Sequence, residues 1–348
     1  MTALRQSWLN HLRNHPGARA LDVARALGVS EAELLYSRVD DDALLLRPDW
    51  EALLAGLPSL GTVMALVRNE HVVHELTGPF ERISYTPHMA GVYGEIIDQR
   101  LILARWKTAI ACSVETRRGV LQSIQVFDGA GDAVLKLYSR PDTDLDAWFA
   151  LTEGLADPAP PPRLDPTLVE LPADPADDAI DAAALSDRWA AMTDTHQVHP
   201  LLRELGVGRE QALRLLGPDW AVPVDPAALT DLLVHAAADA EPLMVFVGNT
   251  GAIQIFSGAV RRILPTAGWL NVMDPAFNLH VRLEGLAAAW VVRKPTDRGL
   301  VWSMEVFSTD GTLLVQLFGK RTEDRSQADS WHALLDLLQE RHRHEERD

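Results

Sequence analysis

The sequence predicts an α+β fold built as a tandem duplication, in which each half carries a large antiparallel sheet with N-terminal and flanking helices. Two observations support this prediction. The chain aligns with itself over a long ungapped stretch, and its central segments alternate apolar and polar residues between turn sequences. At 348 residues, 47% of them hydrophobic, the chain is long enough for two domains of ordinary size.

The internal repeat has a constant register of 180 residues. Segment 67–83, VRNEHVVHELTGPFERI, aligns with segment 247–263, VGNTGAIQIFSGAVRRI, and the alignment continues without a gap to residue 140. It contains 17 identities in 74 positions, whereas about 5 are expected by chance from average residue usage. Asn69 and Asn249 form one of the identical pairs. We therefore predict two copies of one structural unit.

Strands and helices are predicted at corresponding places in the two copies. Segments 120–128 and 300–308, VLQSIQVFD and LVWSMEVFS, alternate faces and lead through GAG and TDG turns into further strands. Helices are predicted at the start of each copy and at the end of the chain. Their ranges are 8–12, 21–27, 31–35, 182–192, 201–205, 209–216 and 330–341.

A proline-rich segment separates the two copies. Residues 155–178 read LADPAPPPRLDPTLVELPADPADD. Because proline fixes φ and has no N–H to donate, this composition indicates an extended connector. The predicted organisation is an N-terminal repeat over residues 1–154, a linker over 155–180 and a C-terminal repeat over 181–348.

Charge and cysteine content exclude several classes of site. A formal net charge of −17 disfavours binding to nucleic acids and to anionic membrane surfaces. Cys112 is the only cysteine, so the chain has no intramolecular disulfide, no CxxCH haem attachment and no thiolate metal cluster. The first residues contain no apolar segment typical of a secretion signal, and no run of 18 apolar residues occurs. We therefore expect a cytoplasmic protein without membrane insertion.

Polar residues that differ between the copies are candidates for a single functional site, because positions shared by both copies serve packing first. Only the second copy has the segment TDTHQVH, with His196 and His199, and only the second copy has Lys294. Arg100 belongs to the first copy. Imidazole is the commonest protein ligand for iron and zinc. Haem requires an axial donor, apolar walls and cations for its propionates, and this set of residues contains the donor and the cations.

The local structure around His196 has two alternatives. If Asp194 caps a helix, His196 lies in the first turn and shares a face with His199. Pro200 then falls in the second turn, where proline is costly. If the helix starts at Pro200 instead, both histidines lie in the preceding turn. The sequence is compatible with either alternative.

The order and spacing of five motifs resemble a known family, the bacterial cytoplasmic haemin-degrading and haem-trafficking proteins of the HemS/ChuS type. The motifs are TDTHQVHPLL, VFVGNTGAIQIFSG, WLNVMDPAFNLHVRL, WVVRKPTDRG and VQLFGKR. The resemblance covers nearly the whole chain, including the duplication and the linker. It implies two similar halves that hold haem between them without a covalent bond. It also implies His196 as the axial iron ligand and Arg100 as the distal residue.

The resemblance further implies Arg209, Lys294 and Arg321 as basic contacts to haem, and His199 as a second ligand that exchanges with His196 in the trafficking subset. Two functions follow. In trafficking, which His199 favours, intact haem passes to a haem oxygenase. In degradation, an external reductant drives ring opening and iron release, and Arg100 orients dioxygen or water as a catalytic residue. The expected partners are haem, a haem oxygenase and the cytoplasmic side of a haem importer, and a homodimer is compatible with the sequence.

The strongest competing interpretation concerns residues 16–35, PGARALDVARALGVSEAELL, which resemble a helix-turn-helix. It predicts a duplicated scaffold without haem, or a DNA-linked regulator. Asp22, Glu31 and Glu33 fall in the segment that would have to face DNA, and the whole chain is acidic. A packing role for this segment is therefore preferred.

Overall fold

The computed structural model describes residues 2–39, 41–116, 119–167, 173–320 and 327–343. Its strands belong to two antiparallel sheets of nine strands each, accompanied by helices in both halves of the chain. The predicted α+β class and the duplication are confirmed.

The chain divides into two units that are not simply its two halves. Unit 1 comprises residues 1–68, 75–170 and 248–254, and unit 2 comprises residues 69–74, 171–247 and 255–348. The main division, after residue 170, falls within the predicted linker.

The first half of the chain begins with three short helices, close to their predicted ranges. They are α1 (Ala3–Asn14), α2 (Ala20–Leu27) and α3 (Glu31–Tyr36). The elements that follow are β1 (Ala43–Leu46), α4 (Trp50–Gly56), β2 (Gly61–Arg68), β3 (Val72–Pro79), β4 (Arg82–Tyr85), β5 (Ala90–Tyr93), β6 (Asp98–Leu101), β7 (Thr108–Thr116), β8 (Gly119–Phe127), β9 (Ala133–Thr143) and α5 (Leu145–Leu155). Helices α4 and α5 were not predicted from the sequence.

The second half repeats this order. Its elements are α6 (Ala182–Ala190), α7 (Val198–Leu205), α8 (Arg209–Leu216), β10 (Ala221–Val224), α9 (Ala228–Ala238), β11 (Pro242–Gly248), β12 (Ala252–Ala259), β13 (Ile263–Thr266), β14 (Trp269–Met273), β15 (Phe277–Arg282), β16 (Ala288–Thr296), β17 (Gly299–Phe307), β18 (Leu313–Gly319) and α10 (Asp329–Arg341). Helix α8 has its predicted bounds, whereas α9 was missed. No helix in the described ranges is long and apolar enough to cross a membrane.

The predicted hairpins form, and the two copies share even their irregularities. In the first copy β8 pairs with β9 and the register shifts between Val126 and Phe127; in the second, β17 pairs with β18 and the register shifts between Val306 and Phe307. A bulge at the same repeat position bends both hairpins in the same way. Its conservation between the copies supports the duplication independently of residue identity.

Helices α2 and α3 have a packing role. Val23, Ala24, Leu34 and Leu35 are buried in the core of unit 1. The first residue of α3, Glu31, is also buried. The segment that resembles a helix-turn-helix therefore directs its apolar side chains, and one carboxylate, into its own unit.

Each unit also contains a short turn that comes from the other half of the chain. In unit 1, Nδ2 of Asn249 donates to the backbone oxygens of Arg68 (2.9 Å) and Val134 (3.0 Å). In unit 2, Nδ2 of Asn69 donates to the backbone oxygen of Leu314 at 2.7 Å. The Oδ1 atom of each asparagine accepts two backbone N–H groups of its own turn. The asparagine identity found in the repeat thus reflects one role used twice, as a turn former and as a tether.

Candidate functional site

The segment around His196 combines features of both predicted alternatives. Residues Thr195–Gln197 form a short 3-10 helix, and Oδ1 of Asp194 accepts the backbone N–H of His196 at 2.7 Å, so Asp194 is the cap. Helix α7 begins at Val198, directly after this turn. Pro200 is therefore in the first turn of α7, where an N–H has no intrahelical acceptor and its absence costs no hydrogen bond.

The same carboxylate also orients the ring of His196. Nδ1 of His196 lies 2.6 Å from Oδ1 of Asp194. Because an ionised carboxylate only accepts hydrogen bonds, Nδ1 carries the proton and the neutral ring keeps its lone pair on Nε2. The side chain of His196 is 85% exposed. An exposed imidazole whose other nitrogen is held by a carboxylate is the arrangement typical of a metal-ligating histidine.

The turn that carries His196 is fastened to the end of β16 in unit 2. The backbone N–H of Asp297, just past β16, donates to the oxygen of Thr193 at 2.9 Å. The indole N–H of Trp189 donates to the oxygen of Arg293 at 3.0 Å. These bonds fix the position of the turn, and hence of the imidazole, against a strand of the sheet.

His199 lies in the first turn of α7 and is exposed. Its neighbours Val198 and Leu201 are buried in the core of unit 2 and anchor the helix. The structure therefore places both histidines on the surface in consecutive turns, and of the two only His196 contacts a carboxylate of the described residues.

One face of the sheet in unit 2 provides an apolar surface. The register pairs Ser303 with Phe318, Phe318 with Met244 and Gln316 with Phe246, so these side chains point to the same side. The rings of Phe246 and Phe318 meet edge to face, with their centroids 5.2 Å apart, and both are half-buried. The two rings expose part of their apolar surface, and apolar contacts of this kind are what a porphyrin ring requires.

Two of the predicted basic contacts share one buried carboxylate on this face. Arg209, the first residue of α8, donates from Nε and Nη2 to Glu305 at 2.7 and 3.0 Å. Nζ of Lys294 donates to Glu305 at 2.5 Å and to the hydroxyl of Ser303 at 2.6 Å. Glu305 is fully buried and Lys294 is 1% exposed, whereas Arg209 is 25% exposed. Arg209 thus reaches the surface, but Lys294 does not.

Burial and pairing shift the pKa values of this cluster. Burial lowers the pKa of Lys294 to about 8, although the charge of Glu305 opposes the shift. Burial alone would raise the pKa of Glu305, but the charges of Arg209 and Lys294 outweigh it and hold that pKa well below its usual range. Both cations therefore already have an internal counter-charge. Their contact with haem propionates stays a prediction.

Unit 1 contains a comparable buried ion cluster, built from different strand positions. Glu31, the first residue of α3, occupies the repeat position of Arg209 and pairs with Arg68 (2.6 Å) and Lys136. The helix thus contributes an acid to one cluster and a base to the other, whereas the strands contribute two cations in unit 1 and one carboxylate and one lysine in unit 2. Both clusters join the first residue of the third helix to the sheet, which indicates a structural role in each unit.

Arg100 lies on β6 in unit 1. Its Nη1 donates to the carboxylate of Asp98 and to the backbone oxygen of Gln99 at 3.0 Å, and its guanidinium carbon lies 4.7 Å from the ring centroid of Tyr93. The side chain is 37% exposed. Arg100 is therefore a surface cation with a defined orientation.

The remaining predicted contact, Arg321, lies outside the described residues. Sequence reasoning also missed Glu305, although its signal was present. In the strand VWSMEVF, Glu305 falls in the same alternating register as Ser303 and Phe307. An acid in the inward register of a strand indicates a buried partner of opposite charge.

The described residues contain no group of three or more His, Cys, Asp or Glu that could hold a bare metal ion. The single imidazole of His196, held by Asp194, fits a metal that brings most of its own ligands, as iron does in haem. One protein nitrogen on an exposed turn is sufficient for such a group.

Comparison with known proteins identifies the family of the chain. The family model described as "Haemin-degrading HemS.ChuX domain" matches the chain twice, over residues 28–155 and 206–338. The chain belongs to the HemS/ChuX family. Its two matched segments correspond to the two copies of the repeat.

Full-length relatives cover almost the whole chain. The hemin transport protein HmuS of Yersinia pestis is 41% identical over 338 residues, which are 97% of both chains, and HemS of Yersinia enterocolitica is 40% identical over 94% of both. Holo-PhuS, a heme-binding protein from Pseudomonas aeruginosa, superposes with a TM-score of 0.93 at 44% identity, covering 96% of this chain and 98% of PhuS. The heme degrading enzyme ChuS of Escherichia coli O157:H7 has a TM-score of 0.88 at 38% identity and the same coverage.

Proposed function

We propose that this protein binds haem non-covalently in the cytoplasm during iron acquisition, holds it through Nε2 of His196 and passes it intact to a haem oxygenase. The observation that carries the proposal is the pair formed by His196 and Asp194. It leaves one unprotonated ring nitrogen exposed in a fixed direction. The carboxylate also fixes the orientation of the ring, as the partners of metal-ligating histidines do.

The only thiol of the chain supports a non-covalent mode of binding. Cys112 is 6% exposed, and its sulfur lies 3.3 Å from the hydroxyl of Ser123. Burial raises the pKa of Cys112, so little thiolate is available for reaction. Attachment of haem therefore depends on the axial bond and on packing.

Trafficking is supported by the names of the relatives and by the position of His199. HmuS and HemS are hemin transport proteins, and PhuS is a heme-binding protein. An exposed second imidazole, three residues after His196 and at the start of α7, provides an alternative donor that can take over the iron during release. The haem oxygenase, the cytoplasmic side of a haem importer and a homodimer remain the predicted partners.

Degradation is the second candidate function, because a relative at 38% identity is a heme degrading enzyme. When bound, haem would supply a redox-active iron with an open sixth position. In this function Arg100 would hold a hydrogen bond to the group at that position, and the reductant would come from outside the protein. Arg209, Lys294 and Arg321 stay the predicted propionate contacts in both functions.

Titration with haemin tests the proposed ligand. The wild-type protein should give a saturable Soret shift at one equivalent, and His196→Ala should abolish or strongly alter the shift. Asp194→Ala should weaken binding by about 10- to 100-fold, the usual effect of removing the partner of a ligating histidine. His199→Ala is the matched control and should keep the equilibrium spectrum. An unchanged spectrum in His196→Ala would refute the assignment.

Turnover separates the two functions. The haem complex is mixed with a reductant in air, with catalase present to remove peroxide that would bleach haem without enzymatic turnover. Transfer of intact haem to a partner oxygenase supports trafficking. Loss of the Soret band with release of iron and one defined product supports degradation.

A further inference from the structure

Four side chains share one face of β4, β5 and β6, the three strands at one end of a nine-stranded sheet. The register pairs Arg82 with Tyr93 and Tyr93 with Asp98. Asp98 and Arg100 are two residues apart on β6, so they point to the same side. On the opposite side of β6, Gln99 is fully buried and donates to Gln254 at 2.6 Å. The strand that carries Arg100 is therefore fixed from its inner side.

Tyr93 lies flat across a glycine on this face. Gly91 is the register partner of Arg100, and a Cβ atom at Gly91 would collide with the phenol ring of Tyr93. The ring therefore occupies the space that a side chain at residue 91 would fill. This position brings it beneath two guanidinium groups, with the carbon of Arg100 at 4.7 Å and that of Arg82 at 5.4 Å from the ring centroid.

The hydrogen bonds of Arg100 leave part of its guanidinium unused. Nη1 donates to the carboxylate of Asp98, to the backbone oxygen of Gln99 at 3.0 Å and to that of Val92 at 3.5 Å. Within the described ranges, Nε and Nη2 of Arg100 donate no hydrogen bond to another residue. One edge of the guanidinium is thus anchored, and the donors on the other edge remain for a ligand.

The second copy does not repeat this arrangement. At the positions of Gly91, Tyr93 and Arg100 it has Asn271, Met273 and His280. There Nδ1 of His280 lies 2.7 Å from Oδ1 of Asn271, its register partner. The glycine, the flat tyrosine and the anchored arginine therefore occur together only in the copy that supplies the predicted distal residue.

We propose that Tyr93 and Asp98 are positioning residues for Arg100, with Gly91 making room for the tyrosine ring. Asp98 fixes one edge of the guanidinium and Tyr93 supports its flat face. A free arginine side chain has many rotamers, and this arrangement removes part of that freedom before a ligand arrives. The inference rests on the proposed distal role of Arg100. It adds that the guanidinium which stabilises an anionic ligand of the haem iron is already oriented before that ligand binds.

Azide binding to the ferric haem complex tests this inference, because azide is an anionic probe of the sixth iron position. Arg100→Ala should weaken azide by about 10- to 100-fold, as expected for the loss of a hydrogen bond to a charged group. Asp98→Ala and Tyr93→Leu should each weaken azide at least about 3-fold through loss of positioning. For Asp98→Ala the direction of the change in azide affinity is decisive. If Asp98 acted only through its negative charge at a distance, removing it would strengthen the binding of the azide anion.

Two matched variants serve as controls. Tyr93→Phe keeps the ring and should stay within about 2-fold of the wild type. Arg82→Ala removes a cation from the same ring and should also change azide affinity less than about 2-fold at physiological salt. An Arg82→Ala effect as large as that of Arg100→Ala would overturn the inference, because it would show that only the local charge matters.

The remaining outcomes separate this inference from the proposed function. If Arg100→Ala weakens azide but Asp98→Ala and Tyr93→Leu do not, the positioning role is overturned and the distal role of Arg100 stands. If Arg100→Ala has no effect, both the distal role and the positioning role are overturned. Haem binding through His196 is measured separately in the haemin titration, so its failure is recognised independently.

Discussion

The sharpest test of the structure concerns the buried carboxylate of Glu305, replaced by glutamine. This substitution keeps the size of the side chain and removes the charge shared by Arg209 and Lys294. Arg209 can move its guanidinium into solvent because it is partly exposed, but Lys294 is buried on all sides. Removing one partner of a buried ion pair typically costs about 3–5 kcal/mol.

The proton on Lys294 gives an independent upper limit for the loss in free energy of unfolding. Instead of staying charged without a counter-ion, this lysine can release its proton. At pH 7, deprotonating a lysine with an ordinary pKa of 10.5 costs about 5 kcal/mol. The expected loss in free energy of unfolding is therefore about 3–5 kcal/mol. Equilibrium unfolding in urea, followed by circular dichroism, measures it.

The pH dependence identifies the cause. Burial lowers the pKa of Lys294 to about 8 in the folded wild type, whereas the unfolded chain keeps the proton up to pH 10.5. The contribution of Lys294 to the free energy of unfolding is therefore constant below pH 8 and increases with pH between 8 and 10.5. In Glu305→Gln the folded protein lacks that proton already at pH 7. The difference in free energy of unfolding between the wild type and Glu305→Gln should therefore decrease by about 1 kcal/mol between pH 7 and 8 and then stay constant.

The control is an exposed pair in the same unit. Arg188 and Glu204 lie 2.5 Å apart, with side chains 43% and 58% exposed. Glu204→Gln should lower the free energy of unfolding by less than about 1 kcal/mol. A loss below about 1 kcal/mol in Glu305→Gln as well, or a gap that does not change with pH, would refute the account of the buried cluster.

Three further substitutions test the packing of unit 1. Asn249→Ala removes the hydrogen bond to the backbone oxygen of Val134 and should destabilise the protein by about 2–3 kcal/mol in urea unfolding. Gly251→Ala places a Cβ atom 2.8 Å from Val134 and should lower the melting temperature. Gly154→Ala lies in an exposed helical position with free space and should raise the free energy of unfolding by about 0.5–1 kcal/mol. Stability changes of the same sign in both variants would contradict this description of the packing. Cys112 should react with a thiol reagent only after unfolding, since burial raises its pKa; fast labelling of the native protein would show that it is accessible.

Local patterns in the sequence were enough to predict the β8–β9 and β17–β18 hairpins, and they gave Asp194 as a helix cap in one of two alternatives. Alternation defined the hairpins, because a half-buried strand must direct every second side chain inward. The same reasoning failed for α4, α5 and α9. Leu53, Trp148 and Leu232 are buried in these helices, but the segments are short and lie beside strands, so their periodicity is easily mistaken for that of a buried strand.

The site was predictable only where its residues are close in the chain. Asp194 and His196 are two residues apart, so capping rules anticipated their relation. The pairing of Lys294 was not predicted, because its partner Glu305 is on the next strand and Arg209, which shares that carboxylate, is far away in sequence. Pairings of this kind depend on tertiary contacts between a hairpin and a distant helix, which local sequence patterns do not show.

The turns exchanged between the two halves have a consequence for biosynthesis. Residues 248–254 belong to unit 1 and tether its strands, but they are translated long after residue 170, where the main part of that unit ends. At about 5–20 residues per second, the ribosome needs several seconds to reach them. Throughout that interval the nascent N-terminal portion lacks a component of its native structure. Final consolidation of the first unit must therefore await synthesis of nearly half of the second repeat.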